Sequence, residues 1–519
     1  MITSLPHVIL ALLPVVLAAP APAPLPTPAA VAAKAPSPMI TARAVLADRL
    51  EQRDIIDSIT GLASYLSSEL GTYPSYIASG VPNFFQGFPT GTAVESSLGI
   101  SDSDLAATPT QVLNIPGYAN WTEQGWNLRF HGNVFKQPNI SESKLNDLAN
   151  VFLIGTSVEA LPSAEATQAR NLTAEIFVVQ QAHVNVTMHI EPAPSQGADG
   201  SSSGSANTTT GGGAQTIDVG ETTVEGDFDT FLPLANVSGT GGYLLPGNDT
   251  TQIQRINVYT NGTDTGNATS YLVPTAGLTI ISDIDDILRV TRIYQPADGL
   301  LNSFAKAFTP WMNMPSIYAN WSQSIPDFHF HYLTTTPEQV TRNYMDFIYK
   351  TYPGGSFDTR PLNFSDVSAT LSIRKFLLEK IFQSYPKRKF ILIADTSNSD
   401  VMKDYPAMAT EFPGQVQCIF LRNTSSTDSG DKFPYDTSGF KGLDNSTYMF
   451  FNIPDDLTGL DIVNGQCVNS TIKQNITFST QGLPFGLSKK SAAVKIQNGL
   501  TGAVVAALVM AFGVVSGVL

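Results

Sequence analysis

From Thr275 onward the chain repeats apolar runs of strand length, at 278–282, 328–333, 390–394, 416–421 and 448–453. Helix-length stretches at 337–352, 371–385 and 400–412 lie between several of them. Strands that are apolar throughout must be buried on both faces, and helical crossovers join parallel neighbours, so the pattern predicts an α/β parallel sheet covered by helices. In such sheets ligands bind beyond the carboxyl ends of the strands.

Those ends are acidic. The first run leads straight into Asp283-Ile284-Asp285-Asp286-Ile287. Asp283 and Asp285 are two apart, so extended chain points both carboxylates to one side. Three acids within four residues repel one another unless a cation or a phosphate-metal complex sits among them. An Asx-type turn with solvated carboxylates is the bland alternative. A calcium loop of EF-hand type fails, because Leu288 and Tyr294 stand where it needs Gly and Glu. The run at 390–394 ends in Asp395, with Asp400 five residues on. The run at 328–333 ends in Thr334-Thr335-Thr336-Pro337, and Arg374 and Lys375 open the helix before the third strand. Carboxylates, hydroxyls and a cation at neighbouring strand ends suit the holding of Mg²⁺ and a phosphoryl group. His329 and His331 alternate with Phe328 and Phe330 and read as core or rim residues.

The rest of the chain describes an envelope. An apolar run at 8–17 followed by Ala18-Ala19-Pro20 reads as a secretory signal peptide over 1–19, with a Pro/Ala linker over 20–40. Residues 41–110 form an N-terminal segment with amphipathic helical spacing. Short alternating runs over 111–273 predict an all-β, sandwich-like domain with a disordered Gly/Ser/Thr insert at 196–215. The α/β domain fills 274–486. Over 487–519, small residues, a polar spacer and an uncharged apolar tail match a glycosylphosphatidylinositol signal, with Ser491 the attachment residue and a plain transmembrane helix the alternative.

Sequons stand at Asn120, Asn139, Asn171, Asn185, Asn207, Asn236, Asn248, Asn261, Asn267, Asn320, Asn363, Asn423, Asn445, Asn469 and Asn475. Composition alone would give roughly five, so the excess agrees with a secreted, extracellular-face protein. In that oxidising setting Cys418 and Cys467 are free to pair. The net charge of −15 excludes nucleic acid as the main partner.

The stretches at 281–286, 311–321, 330–337, 385–400 and 418–423 resemble the catalytic domain of the fungal actin-patch-protein type of phosphatidate phosphatase, in the haloacid dehalogenase-like superfamily. The resemblance implies a Rossmannoid parallel sheet and an aspartyl-phosphate mechanism. It casts Asp283 as nucleophile, Asp285 as acid and base, and Thr334 as phosphoryl ligand, with Thr336 competing. It casts Arg374, beside Lys375, as the cation. Asp283, Asp395, the Asp285 carbonyl and Asp400 are implied at Mg²⁺. The implied substrate is a phosphorylated lipid, phosphatidate, with another phosphomonoester open. Two positions depart from the family pattern: Ile287 ends D-x-D-x-[TV], and Arg374 replaces a Lys. A non-catalytic, lipid-anchored surface glycoprotein with a relic domain is the alternative. A carboxylate-pair glycosidase is a weaker third reading, because it leaves the Thr and Arg unexplained.

Overall fold

The computed structural model describes residues 94–474 except 96–97, 154, 193–213, 225, 236–243, 248–251, 264, 293–294, 361–366 and 428–435. All of these lie within one structural unit, residues 48–519. The signal peptide, the linker, most of the 41–110 segment, the 196–215 insert up to 213, Ser491 and the apolar tail lie outside the described residues, as do Asn207, Asn236, Asn248, Asn363 and Asn475. Among the described residues, no helix is long and apolar enough to cross a membrane.

The first sheet has nine strands: β1 (Thr110–Asn114), β2 (Tyr118–Thr122), β3 (Gly125–Lys136), β4 (Val179–Gln180), β5 (Asn185–Pro192), β6 (Gln215–Glu221), β7 (Asp227–Pro233), β8 (Gln254–Tyr259) and β9 (Asn267–Leu272). Their order is β1-β3-β2-β9-β8-β5-β6, with β4 and β7 also on β3. The pairing is antiparallel except between β2 and β9. Three helices belong to this part of the chain: α1 (Asp102–Ala107), α2 (Glu142–Val151) and α3 (Ser163–Ile176). The last two fall inside the stretch expected to be all-β, so the region is mixed. The sequence hid α3 because its buried face is built partly from Ala166 and Ala169, too small to stand out as a periodic apolar stripe.

The second sheet has six strands: β10 (Leu278–Ser282), β11 (Phe328–Pro337), β12 (Ser356–Arg360), β13 (Lys389–Asp395), β14 (Val416–Arg422) and β15 (Tyr448–Phe451). Every pairing is parallel, in the order β12-β11-β10-β13-β14-β15. Between and after these strands run α4 (Pro296–Phe304), α5 (Met314–Ser324), α6 (Glu338–Thr351), α7 (Val367–Ser384), α8 (Ser399–Glu411) and α9 (Thr424–Thr427).

Period-two alternation sorts the strand residues to two faces. Ile280, Phe330, Ile391, Ile393 and Phe420 enter one core with Ile317 of α5 and Val340, Tyr344 and Ile348 of α6. Ile281, Leu333, Leu392, Ile419 and Leu421 enter the other, against Ile373, Leu377 and Ile381 of α7 and Val401 and Tyr405 of α8. Each such side chain fully withdrawn from water contributes about 1.5–3 kcal/mol. The first sheet shares both cores: Ile115 and Phe135 join one, Tyr118 and Tyr271 the other. The strand order reverses at β10, which has β11 on one side and the later β13 on the other. The crevice for a ligand therefore opens beyond the carboxyl ends of β10 and β13.

Candidate active site

Asp283 follows the last residue of β10, and its N–H donates to the Ile393 carbonyl of β13 at 2.8 Å. The backbone ladder thus fixes it beside the β13 end, which carries Asp395. Asp283 Oδ1 accepts the Ile284 N–H at 2.9 Å. Oδ2 lies 3.0 Å from Arg374 Nη2. The two are close as charges but not aligned as a hydrogen bond, so Oδ2 is buried without a hydrogen-bond partner. Asp395 Oδ1 accepts the Ser397 N–H at 2.7 Å, the Ser397 hydroxyl, and the Thr424 hydroxyl at 3.3 Å. Its Oδ2 is likewise buried and unbonded.

Burial pushes the Asp283 carboxyl up to about 8; Arg374 opposes this, and Asp395 and Asp285 add to it. Burial and then Asp286 push Asp395 up to about 6. These two carboxyls are placed where a negative charge is poorly solvated.

After Asp285 the chain turns back on itself, with Leu288 N–H on the Ile284 carbonyl and Asp286 in the left-handed region at φ 59°. Asp tolerates that conformation better than most residues. The turn returns Arg289 to Asp285, whose Oδ1 accepts Nε at 3.0 Å, Nη2 at 2.8 Å and the Thr291 hydroxyl at 2.9 Å. Asp285 Oδ2 accepts the Thr336 hydroxyl at 3.2 Å. The Arg289 guanidinium lies over Tyr344, 4.2 Å from the ring centre. Arg422, the last residue of β14, donates to the Asp286 carbonyl at 2.7 Å and stacks on Trp311.

Arg374 of α7 donates through Nε to Asp400 Oδ2 at 3.1 Å. In the orientation that satisfies both neighbours, the Asn398 side-chain carbonyl accepts Arg374 Nη2 at 2.9 Å and its amide donates to Asp400. Burial works against the Arg374 charge, but Asp283 and Asp400 outweigh it and hold the guanidinium well above its ordinary pKa.

Asp283, Asp285, Asp286, Asp395 and Asp400 are all buried, as are Arg289, Arg374 and Arg422. The carboxyls outnumber the guanidiniums, so ionising all of them leaves negative charge that a cation would offset. Among the described residues, no three His, Cys, Asp or Glu side chains group closely enough to hold a metal. Mg²⁺ does not need three: it keeps several waters and takes one or two carboxylates plus substrate phosphate. The two unbonded oxygens of Asp283 and Asp395 fit that requirement.

Residues 278–423 match the family model described as phosphatidate phosphatase APP1, catalytic domain. This segment is thus similar to that catalytic domain. Phosphatidate phosphatase APP1 of Saccharomyces cerevisiae is 27% identical over 160 residues, covering 30% of this chain and 27% of the relative. The chain thus matches about a quarter of that relative's length. A ferredoxin-NADP+ reductase structure from Plasmodium falciparum shares 10% identity, covering 60% of this chain and 96% of its own. Its TM-score of 0.13 is too low to indicate a shared fold.

Within the matched segment the residues singled out from sequence divide. Asp283, Asp285, Asp395, Asp400 and Arg374 gather beyond the strand ends. Lys375 does not: it is half-exposed and paired with Glu411 at 2.7 Å and Glu379 at 3.6 Å, because the next position on α7 faces outward. Thr334 accepts the Thr336 N–H at 3.0 Å, whereas Thr336 is the threonine that bonds Asp285. His331 is buried on Asp358 and His329 on Ser356, away from the carboxylates. Sequence reasoning missed Arg289 and Arg422. Arg289 stands four residues after Asp285, a spacing at which a turn brings ends together. Arg422 closes an apolar strand, as Asp395 does. Cys418 and Cys467 are disulfide-bonded, with Cα atoms 5.4 Å apart. Of the described sequon residues, Asn139, Asn171, Asn185, Asn261, Asn267, Asn320 and Asn445 are exposed, while Asn120, Asn423 and Asn469 are half-buried.

Proposed function

We propose that residues 274–486 form a haloacid dehalogenase-like hydrolase domain that removes phosphate from a phosphomonoester, with a phosphorylated lipid such as phosphatidate as the substrate class. The observation that carries this reading is the pair of buried, unbonded carboxylate oxygens of Asp283 and Asp395 at adjacent strand ends, where the sheet changes direction. The lipid substrate comes from the family alone.

Asp283 and Asp395, with the Asp285 backbone carbonyl, would hold Mg²⁺. That ion would supply positive charge against the phosphoryl oxygens. The side chains of Asp285 and Asp400 are engaged by Arg289 and Arg374, so they act from outside that set. The Asp283 carboxylate attacks phosphorus and the bond to the ester oxygen breaks; for Asp285 to give a proton to the departing alkoxide, its carboxyl must first be protonated, with the Thr336 hydroxyl turned away from Oδ2. Water then attacks the aspartyl phosphate, Asp285 takes the water proton, and inorganic phosphate leaves with the Asp283 carboxylate restored. An anion attacking an anion needs screening, and Arg374 lies beside Asp283 to provide it. Thr334 and Thr336 offer hydroxyls on the same side.

The reading extends to a protein of the secretory route held at the outer membrane face by a lipid on Ser491. The Cys418–Cys467 bond supports an oxidising compartment, as do the exposed sequons. A second reading, a non-catalytic surface glycoprotein, is favoured by Arg374 lying against the one Asp283 oxygen free to react. Phosphate release by the purified protein from phosphatidate and soluble phosphomonoesters, with and without Mg²⁺, separates the two. Release that requires Mg²⁺ and vanishes in Asp283→Asn supports the hydrolase; no release from any ester rejects it.

A further inference from the structure

The central strand of the first sheet, β3, is buried on both faces, and the two faces differ in kind. Trp126, Leu128, Phe130 and Val134 point into an apolar core. Arg129, His131 and Asn133, at the alternate positions, are polar and nearly inaccessible, at 2%, 5% and 0% exposure. Placing three polar side chains on one buried strand face is costly unless each is answered. Arg129 is answered from the second sheet, Asn133 and His131 from the helix that follows β11. Arg129 binds Asp358 of β12, which also takes His331 of β11 at 2.8 Å, and makes a two-point contact with Asp229 at 2.7 and 2.8 Å. Lys380 of α7 reaches the same Asp229 at 3.3 Å. Asn133 Nδ2 donates to Glu338 Oε1 at 2.5 Å, and His131 Nε2 lies 3.5 Å from Glu338 Oε2.

Glu338 is the residue that matters. It is 1% exposed and opens α6 directly after the Thr334–Pro337 end of β11. Two residues upstream, the Thr336 hydroxyl donates to Asp285. The Thr336 carbonyl is pinned in turn by the Thr359 hydroxyl of β12 at 2.6 Å and by Thr341 of α6 at 3.3 Å. A continuous path therefore runs from β3 through Glu338 and Thr336 to Asp285.

We propose that Glu338, which accepts the Asn133 amide N–H and lies among the His131 and Arg342 side chains, is a positioning residue that sets the threonine segment against Asp285, which makes the first sheet a working part of the catalytic centre rather than a separable binding module. This rests on the phosphohydrolase reading for its kinetic consequence, though not for its geometry. Misplacing a reacting group by about 1 Å costs on the order of 10²-fold in rate.

The test compares four full-length proteins: parent, Glu338→Ala, Glu338→Gln and Leu128→Ala. Gln keeps an acceptor for Asn133. Leu128→Ala hollows the apolar face of the same strand and destabilises the protein without touching Glu338. Each is read by Tm, by kcat and KM for Mg²⁺-dependent phosphate release, and by amide hydrogen exchange of segments 283–291 and 334–341. Glu338→Ala is expected to lower kcat by about 10- to 100-fold and to speed exchange in both segments. Glu338→Gln restores both, and Leu128→Ala lowers Tm while leaving both unchanged. If Glu338→Ala changes neither kcat nor local exchange, or Leu128→Ala reproduces its pattern, the proposal is overturned. If the parent releases no phosphate, the hydrolase reading falls, and the exchange pattern alone decides whether Glu338 positions the segment.

Discussion

Arg374 stands between Asp283 and Asp400, 3.0 Å from one carboxylate and 3.1 Å from the other, with all three side chains withdrawn from water. Removing the guanidinium leaves two buried carboxylates uncompensated, which destabilises by about 3–5 kcal/mol. Arg374→Ala is therefore expected to lose that much in urea denaturation and to release no phosphate. Arg374→Lys keeps the charge, but a single ammonium cannot hold two carboxylates in one planar fork. Its kcat is expected to fall on the order of 10²-fold. Lys375→Ala, next along the same helix but paired at the surface, should change stability by no more than about 0.5 kcal/mol. Equal losses in Arg374→Ala and Lys375→Ala would remove Arg374 from the centre.

Asp283→Asn separates catalysis from folding. A neutral amide fits the same space and no longer repels Asp395 and Asp285, so metal-free stability is retained. If Asp283 carries the covalent intermediate as proposed, its loss should lower kcat on the order of 10⁴-fold or more. The Mg²⁺-induced rise in Tm should shrink with it. Substantial turnover in Asp283→Asn would reject the nucleophile assignment.

The parallel sheet was legible because strands buried on both faces leave little choice of residue: Ile280–Ile281, Phe390–Ala394 and Cys418–Leu421 are unbroken apolar runs in β10, β13 and β14. β12 was not, because Ser356, Asp358 and Thr359 are buried polar residues answered by partners distant in sequence. The buried carboxylates at the strand ends were legible for a similar reason, since acids abutting an apolar strand are otherwise unexplained. Their cationic partners were half legible. A turn returning Arg289 to Asp285, or the face of α7 that turns Arg374 inward and Lys375 outward, is set by three-dimensional packing that spacing does not encode. The polar face of β3 was hidden by the same limit, as alternating Arg129, His131 and Asn133 read like the solvent side of a strand.

The buried carboxyls make stability depend on pH in an unusual direction. Asp283 is raised from 3.8 to about 8 and Asp395 to about 6, so the native state binds more protons than the unfolded chain across the window from about pH 4 to about pH 8. The contribution of these two carboxyls to metal-free stability therefore falls as pH rises through that window. Mg²⁺ held as proposed would require the ionised carboxylates and expel those protons, so its stabilising effect is expected to grow with pH. Thermal melts at pH 6 and pH 8, with and without millimolar Mg²⁺, check both halves. A metal-free Tm that rises with pH, or a Mg²⁺ shift equal at both values, contradicts the site as described.

The Cys418–Cys467 bond joins the middle of β14 to the segment beyond β15, across a sequence separation of 49. Cross-linking a loop of that size removes unfolded-chain entropy equivalent to about 4 kcal/mol. Cys467 sits 2% exposed in the same core as Phe420 and Phe451, so each half-cystine is packed as well as bonded. Replacing both cysteines by Ala is expected to lower stability by about 2–4 kcal/mol, measured by urea denaturation. Arg422 lies four residues along β14 from Cys418 and is fixed independently by Asp286 and Trp311. Phosphate release per folded molecule should therefore be unchanged at temperatures well below the lowered Tm. A double variant as stable as the parent would mean that the bond does not form in the native protein, and it would remove the disulfide as support for an oxidising compartment.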